Sequence, residues 1–449
     1  MRKRIIIIIL FLPAFLSGQE ILNEYIRFGL ENNLVLKQKQ SDYQKSLEAL
    51  REARGLFYPS ISFNARYTVS QGGRLIDFPI GDLLNPVYST LNELTHSALF
   101  PMVENQEFKF LRPTEHETKI RVTQPLFNPD IYYNSKIKKE LSVSEETDVN
   151  QYRRELTAEI KKAYYNASMT EGIHSMLTET RKLLLENIRV NKRLVENDKL
   201  TIDYVYRSEA ELSKFDQELQ NAEKNKKTAD AYFNFLLNKP LMDSIIFQMP
   251  LSFPVLSSIT EDFSKSAIEN REELKKLENY SNISNMRLKM NQSGMLPDIF
   301  IVMDYGFQGE TYQFNKSQDY MMASAILSWN LFSGFQNRAK VKQAMIDKTI
   351  INDQLEEARK QIELQVINTL NELLTAEKGI AAAETGLRNA REGFRLVKRR
   401  YEEGQASLVE FIDARTTMTQ AEENLIISKF TYLSSFAEFE KVTAIKKSE

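Results

Sequence analysis

Catalysis or metal binding in this chain of 449 residues would fall to three histidines and 61 acidic side chains, because it contains no cysteine. That absence removes disulfides, thiolate zinc sites, iron–sulfur clusters and thiol nucleophiles together. His96, His116 and His174 form no HExxH pair and have no partner at ligand spacing. They read as surface or loop histidines. There is no GxSxG elbow, no GxxxxGK(S/T) phosphate loop and no GxGxxG fingerprint. Gly72-Gly73 reads as a turn, and Met321-Met322 as strand packing. No catalytic carboxylate pair stands out, so no enzyme, cofactor or metal is expected.

The bulk numbers agree with that silence. Lys and Arg total 59 against 61 Asp and Glu, a balance that gives no general affinity for nucleic acid. Arg2, Lys3 and Arg4 precede an apolar run from Ile5 to Leu12, with Ser17 and Gly18 near a cleavage site. This is the layout of a secretory signal peptide over residues 1–18. No later run reaches the roughly 18 apolar residues of a membrane-spanning helix. An exported chain of this kind is soluble or meets a membrane by another route.

The elements repeat. Residues 54–70 resemble 292–308, with Pro59 over Pro297, and 122–138 resemble 327–342, with Leu126-Phe127 over Leu331-Phe332. Residues 196–212 match 402–418. The offset is 205 residues at the phenylalanines and 206 at Thr201 and Ser407. Each copy reads helix, strand, loop, strand, very long helix, break, helix. The first repeat takes residues 19–239, the second 263–449, and a Pro-rich segment (240–262) joins them.

Four runs alternate apolar and polar residues with period two: 58–70, 117–128, 297–308 and 320–332. Long connections at 71–116 and 309–319 read as outer loops. Each run is about ten residues, the length of a tilted membrane strand. Tyr58, Phe127, Trp329 and Phe332 sit at strand ends, where an interfacial girdle would lie. A pair of half-buried hairpins in a soluble domain is the plainer alternative. Four strands cannot close a barrel, and open edges are forbidden in lipid. Strands that span a membrane here must be shared between copies: eight in a dimer, twelve in a trimer.

The helices are long. Residues 131–196 hold no Pro, which allows a rod of ~100 Å. Asn128 before Pro129, and Ser333 with Gln336, predict the two N-termini. Ile380, Ala383, Leu387, Ala390, Phe394, Val397 and Tyr401 alternate three- and four-residue steps, as in coiled coils. Leu177, Leu184, Ile188 and Val195 keep part of that seam. Breaks at 197–201 and 404–407 predict two helical hairpins, over 129–239 and 333–446.

Residues 399–442 (RRYEEGQASLVEFIDARTTMTQAEENLIISKFTYLSSFAEFEKV) resemble the terminal hairpin of TolC-type outer-membrane efflux proteins, the outer membrane factor family, with the pattern RYxxG…S(I/L)x(D/E)xxDA. The resemblance implies a mixed α+β membrane protein. Long helices would form a coiled-coil-like periplasmic barrel, and four strands per protomer would enter a shared trimeric twelve-stranded outer-membrane β-barrel. It implies a homotrimer in outer-membrane lipid, a periplasmic membrane-fusion adaptor, and an inner-membrane transporter of RND or ABC type. Glu410 and Asp413 match acidic positions that ring the tunnel entrance; three residues apart, they share a helix face. Tyr401 matches a gate tyrosine, with Asp203 and Tyr204 opposite in the first copy. Ala406 replaces an arginine of the family's gate. Gly404, Ser407, Leu408, Thr201 and Ile202 match tip residues that meet the adaptor. Asp198 stands where the first-copy glycine is usual, so a differently shaped tip is expected there. The rival reading is a periplasmic coiled-coil adaptor or scaffold without a pore.

Overall fold

Pro129 and the residues after it show how the sequence starts its longest helix. The Asn128 carboxamide oxygen accepts from the Ile131 amide at 2.9 Å, and proline at the first helical position has no amide to lose. In the computed structural model, residues 18–248 and 263–445 are described. The signal segment, but for Gly18, and most of the 240–262 linker therefore lie outside the described residues. In chain order the elements are α1 (Gly18–Asn32), α2 (Leu34–Gly55), β1 (Ser60–Val69), β2 (Leu75–Phe78), α3 (Ile80–Thr95), β3 (Gln106–Lys109), β4 (Thr114–Phe127), α4 (Pro129–Glu196) and α5 (Ile202–Leu236). Then follow α6 (Phe263–Asn270), α7 (Glu272–Ser293), β5 (Asp298–Gly309), β6 (Asp319–Ser328), α8 (Gln336–Glu402) and α9 (Leu408–Thr443). Two compact units result. One combines Ala49–Lys138 with Met286–Met345, and the other takes the remaining described residues.

The first unit is built on a four-stranded antiparallel sheet in the order β1-β4-β5-β6. Its central pair, β4 with β5, joins the two repeats. Register sorts the side chains by face. Phe63 pairs with Ile120, Ile120 with Tyr305, and Tyr305 with Met321, so one face is apolar. The other face carries Arg66 opposite Glu117, and Arg121 opposite Asp304. Period-two alternation dictates this separation. The apolar face is exposed, Ile61, Phe63 and Val69 included. β1 and β6 are open edges in the single chain. All four flanking helical segments attach at one end of the sheet; the two long connections attach at the other.

The connection 71–116 is more than a loop. It holds a β2–β3 hairpin and the helix α3. The predicted Ser333–Gln336 capping box also does not form. Gly334 and Phe335 both adopt positive φ (59° and 65°), which delays α8 to Gln336, and Ser333 gives only its carbonyl to the Gln336 amide. The first-repeat helix breaks at Asn33, whose side chain caps the Leu36 amide at 3.0 Å and donates to the Leu236 carbonyl at 2.9 Å.

The second unit is helical, and two of its hydrophobic cores obey the repeat. Leu156, Ile160, Phe233 and Leu236 are buried in one; Ile362, Val366, Phe439 and Val442, each 206 residues later, are buried in the other. Along α8 all seven predicted seam residues from Ile380 to Tyr401 are buried or half-buried, and every residue between Ile380 and Tyr401 that is not on the seam is exposed. Arg154 ties the repeats together. It donates to Glu272 and Glu273, both at 2.8 Å, and to the Lys441 carbonyl. Burial raises the Glu273 carboxyl, but its hydrogen bond from Arg271 and the Arg154 and Arg271 charges outweigh that and hold it below the ordinary 4.5. A lowered carboxyl stabilises the fold above its unfolded value, and the gain is lost as pH falls through the folded value. Glu273→Gln is expected to cost about 2 kcal/mol at neutral pH. In detergent, its thermal midpoint should fall below wild type at pH 7 and converge with it under strongly acidic conditions.

Candidate functional site

The hairpin tips follow from two left-handed residues. Gly404 has φ 75°, and its amide and that of Gln405 bond back to Tyr401 and Arg400. Asp198, 206 residues earlier, has φ 56°, and its amide and that of Lys199 bond back to Val195 and Leu194. The two turns share one backbone pattern, which corrects the expectation of a different first tip. Aspartate is among the few residues that enter this region at modest cost.

After the second turn, Ser407 caps α9. Its hydroxyl accepts from the Glu410 amide at 3.2 Å, and the Glu410 carboxylate reaches back to the Ser407 amide at 3.4 Å. This capping box was not foreseen, and it occupies one of the two candidate ring carboxylates. The other oxygen of Glu410 lies 3.5 Å from Arg400. Asp413 is exposed one turn on. Thr201, Ile202, Gly404 and Ser407 are exposed, as tip contacts require. Leu408 is buried instead, because it starts the apolar stripe of α9; its neighbour Val409 is the exposed residue.

The Tyr401 hydroxyl does not reach Asp203 or Tyr204 within the chain. It donates to Asn191 at 2.9 Å, while its ring stacks on Phe411 at 4.8 Å. Asn191 is fully buried and donates in turn to Ser208 at 2.8 Å, whose hydroxyl donates to the Tyr204 carbonyl at 2.9 Å. Burial raises the Tyr401 hydroxyl, so it stays a neutral donor. Asp203 is exposed and accepts from the Thr201 hydroxyl. Asn191 was legible in principle: it falls seven residues after Leu184 on the α4 seam, where a polar residue specifies pairing.

Arg415 was also overlooked. It is 3 % exposed, on the same stripe as Leu408, Phe411 and Thr419. It donates to Glu211 on α5 at 2.6 Å and lies over the Phe215 ring at 5.5 Å. Burial pulls its guanidinium below the usual arginine value. It lines a cavity of about 370 Å³ between α4, α5 and α9, with Glu211, Glu218 and Glu423. A cation on an apolar stripe is the signal that could have found it.

The polar face of the sheet holds a chain of charges that strand alternation did not reveal. Arg121 grips the buried Asp304 through two bonds of 2.8 and 2.7 Å. Lys119 lies 3.6 Å from Asp304 and 2.7 Å from Glu117, and Arg66 lies 3.5 Å from Glu117. Tyr320 on β6 reaches over Gly306 to donate to Glu117 at 2.9 Å. The network thus crosses all four strands, and charges that must face water stand opposite an exposed apolar face.

No helix among the described residues is long and apolar enough to cross a membrane, and no group of metal-binding side chains occurs among them. Residues 263–443 match the family model described as outer membrane efflux protein. The chain is 22 % identical over 433 residues to outer membrane protein TolC of Salmonella enteritidis, covering 93 % of this chain and 80 % of that protein. Its fold resembles that of a membrane protein from Pseudomonas aeruginosa (TM-score 0.78, 15 % identity, 95 % of this chain and 94 % of the other). It also resembles the Campylobacter jejuni CmeC outer membrane channel (TM-score 0.78, 14 % identity, 96 % and 87 %). A third likeness is to the open state of the Neisseria gonorrhoeae MtrE outer membrane channel (TM-score 0.74, 16 % identity, 94 % and 88 %). Residues 263–443 thus match the outer membrane efflux protein family, and over nearly its whole length the chain has the fold of these solved outer membrane channels.

Proposed function

We propose that this chain is a TolC-type outer membrane efflux protein: a passive, trimeric exit duct, fed from the periplasm by an adaptor and an inner-membrane pump. One observation carries the shared barrel: a four-stranded sheet with two open edges, an exposed apolar face and a charged opposite face. Such a sheet is unstable in lipid until neighbours pair its edges. Three copies give twelve strands, with the charged faces lining the lumen. Gly379, Gly386 and Gly393 add support. They stand seven apart on α8 with open space where a Cβ would be. Each costs about 1 kcal/mol in a helix interior, which close approach of a neighbouring helix would offset.

Glu410 and Asp413 then form the entrance ring, two carboxylates from each copy. Tyr401, Asp203 and Tyr204 belong to the gate, with Asn191 as the internal partner of Tyr401. Thr201, Ile202, Gly404 and Ser407 meet the adaptor, and Leu408 supports them from beneath. The energy comes from the pump.

The reading is tested by fractionating cells and running the purified protein unheated and heated on a denaturing gel. An outer-membrane protein migrating as a heat-modifiable trimer, and conducting in planar bilayers, is expected. A monomer in the aqueous fraction would refute the duct.

A further inference from the structure

The connection between β1 and β4 contains a helix that leaves an apolar stripe uncovered. In α3, Asn85 and Asn92 lie seven residues apart on one face. Asn85 takes the Val103 amide at 2.8 Å and gives to the Val103 carbonyl at 3.0 Å. Asn92 does the same to Phe100, at 3.0 and 2.8 Å. Gly81 shares that face: a Cβ there would sit 2.3 Å from the Val103 carbonyl oxygen. The return segment is therefore stapled to the face that carries Asn85 and Asn92, where Tyr88 also meets the Phe100 ring at 5.7 Å. At 100° per residue, Leu83, Val87 and Leu94 point the opposite way, and they are 66 %, 52 % and 74 % exposed. Leu99 and Met102, on the return segment, are 77 % and 74 % exposed. Helices in a solvated loop normally place the apolar stripe inward, and monomeric surfaces rarely leave such side chains gathered in the open.

We infer that this stripe packs against the same excursion of a neighbouring copy, forming an apolar collar at the end of the sheet away from the helices. The inference rests on the trimeric reading. β1 is an edge strand, so in a closed barrel the excursion that continues it borders the next protomer. Charge selects this occupant over lipid. α3 carries Asp82 and Glu93 and no Lys or Arg, whereas a helix lying on an anionic membrane surface needs cations on its polar face. A threefold axis also brings three identical stripes together, so each covers another without a further partner.

The chain has no cysteine, which makes Leu94→Cys a clean probe. The full-length variant in outer membranes is treated with an oxidant or a short bis-maleimide, and unheated samples are run in parallel. A covalent dimer from a heat-modifiable trimer is the expected result. An intact trimer with only monomer after cross-linking would overturn the collar and leave the duct standing. Loss of the trimer with wild-type sequence would sink the duct and the collar with it. A photoreactive maleimide at the same cysteine that labels lipopolysaccharide instead of protein would also reject the collar. As a second readout, Leu83→Ser with Leu94→Ser should weaken the cross-link at Val87→Cys several-fold; an unchanged yield counts against the inference.

Discussion

On the proposed trimeric reading, alanine at Gly306 is expected to abolish the heat-modifiable trimer. Gly306 sits in β5 between Lys119 on β4 and Tyr320 on β6. A Cβ at this position would lie 2.3 Å from the Thr118 carbonyl oxygen and 2.7 Å from the Lys119 Cα. Both are backbone atoms of the adjoining strand, so relief requires the β4–β5 pair to separate. Overpacking of this kind costs about 1–3 kcal/mol, and a trimer would bear it three times. The same change would push Tyr320 off Glu117 and loosen the Arg121–Asp304 clamp, leaving a buried carboxylate short of its partner. Removing one partner of such a pair costs about 3–5 kcal/mol. Gly172→Ala is the control. It lies within α4, where the nearest atom to a new Cβ is 3.6 Å away, and alanine should raise stability by about 0.5–1 kcal/mol. Gel migration before and after heating reads both. A normal trimer from Gly306→Ala would mean that the β4–β5 joint tolerates separation.

On the proposed reading of Glu410 and Asp413 as an entrance ring, removing both charges should bring the cation preference of the channel close to none. Two carboxylates per copy around one axis favour cations over anions. The structure decides how to remove them. Alanine at Glu410 would also delete the capping box with Ser407, at about 1 kcal/mol, and would confuse a loosened tip with a lost charge. Glutamine still serves the box. Glu410→Gln with Asp413→Asn therefore isolates the charge. Reversal potentials in a salt gradient across planar bilayers should move towards zero, with the trimer and its melting unchanged. An unaltered reversal potential would place the selectivity elsewhere, and the Arg66, Lys119 and Arg121 cations of the sheet would be the next place to look.

Much of the hairpin geometry was readable because it is local. The breaks at 197–201 and 404–407 and the heptad seam of α8 depend on residues within one or two turns of each other. Asn128 and Pro129 announced α4 for the same reason. The Ser333 cap failed because two left-handed residues intervene, and backbone sign is weakly encoded outside glycine. Leu408 was assigned to the tip by motif, but burial depends on which helix lies opposite. The partners of Tyr401 and Arg415 come from α4 and α5, some 200 residues distant in sequence, so spacing could not name them.

By itself the sequence determined the duplication, four alternating strands and two helical hairpins, since periodicity and composition are properties of short windows. Only the tertiary structure decided which charges meet across β4 and β5, that Glu410 serves a helix cap, and that α3 shows its apolar side. Those outcomes depend on strand register and on which faces pack together, and both are settled by contacts between segments far apart in the chain.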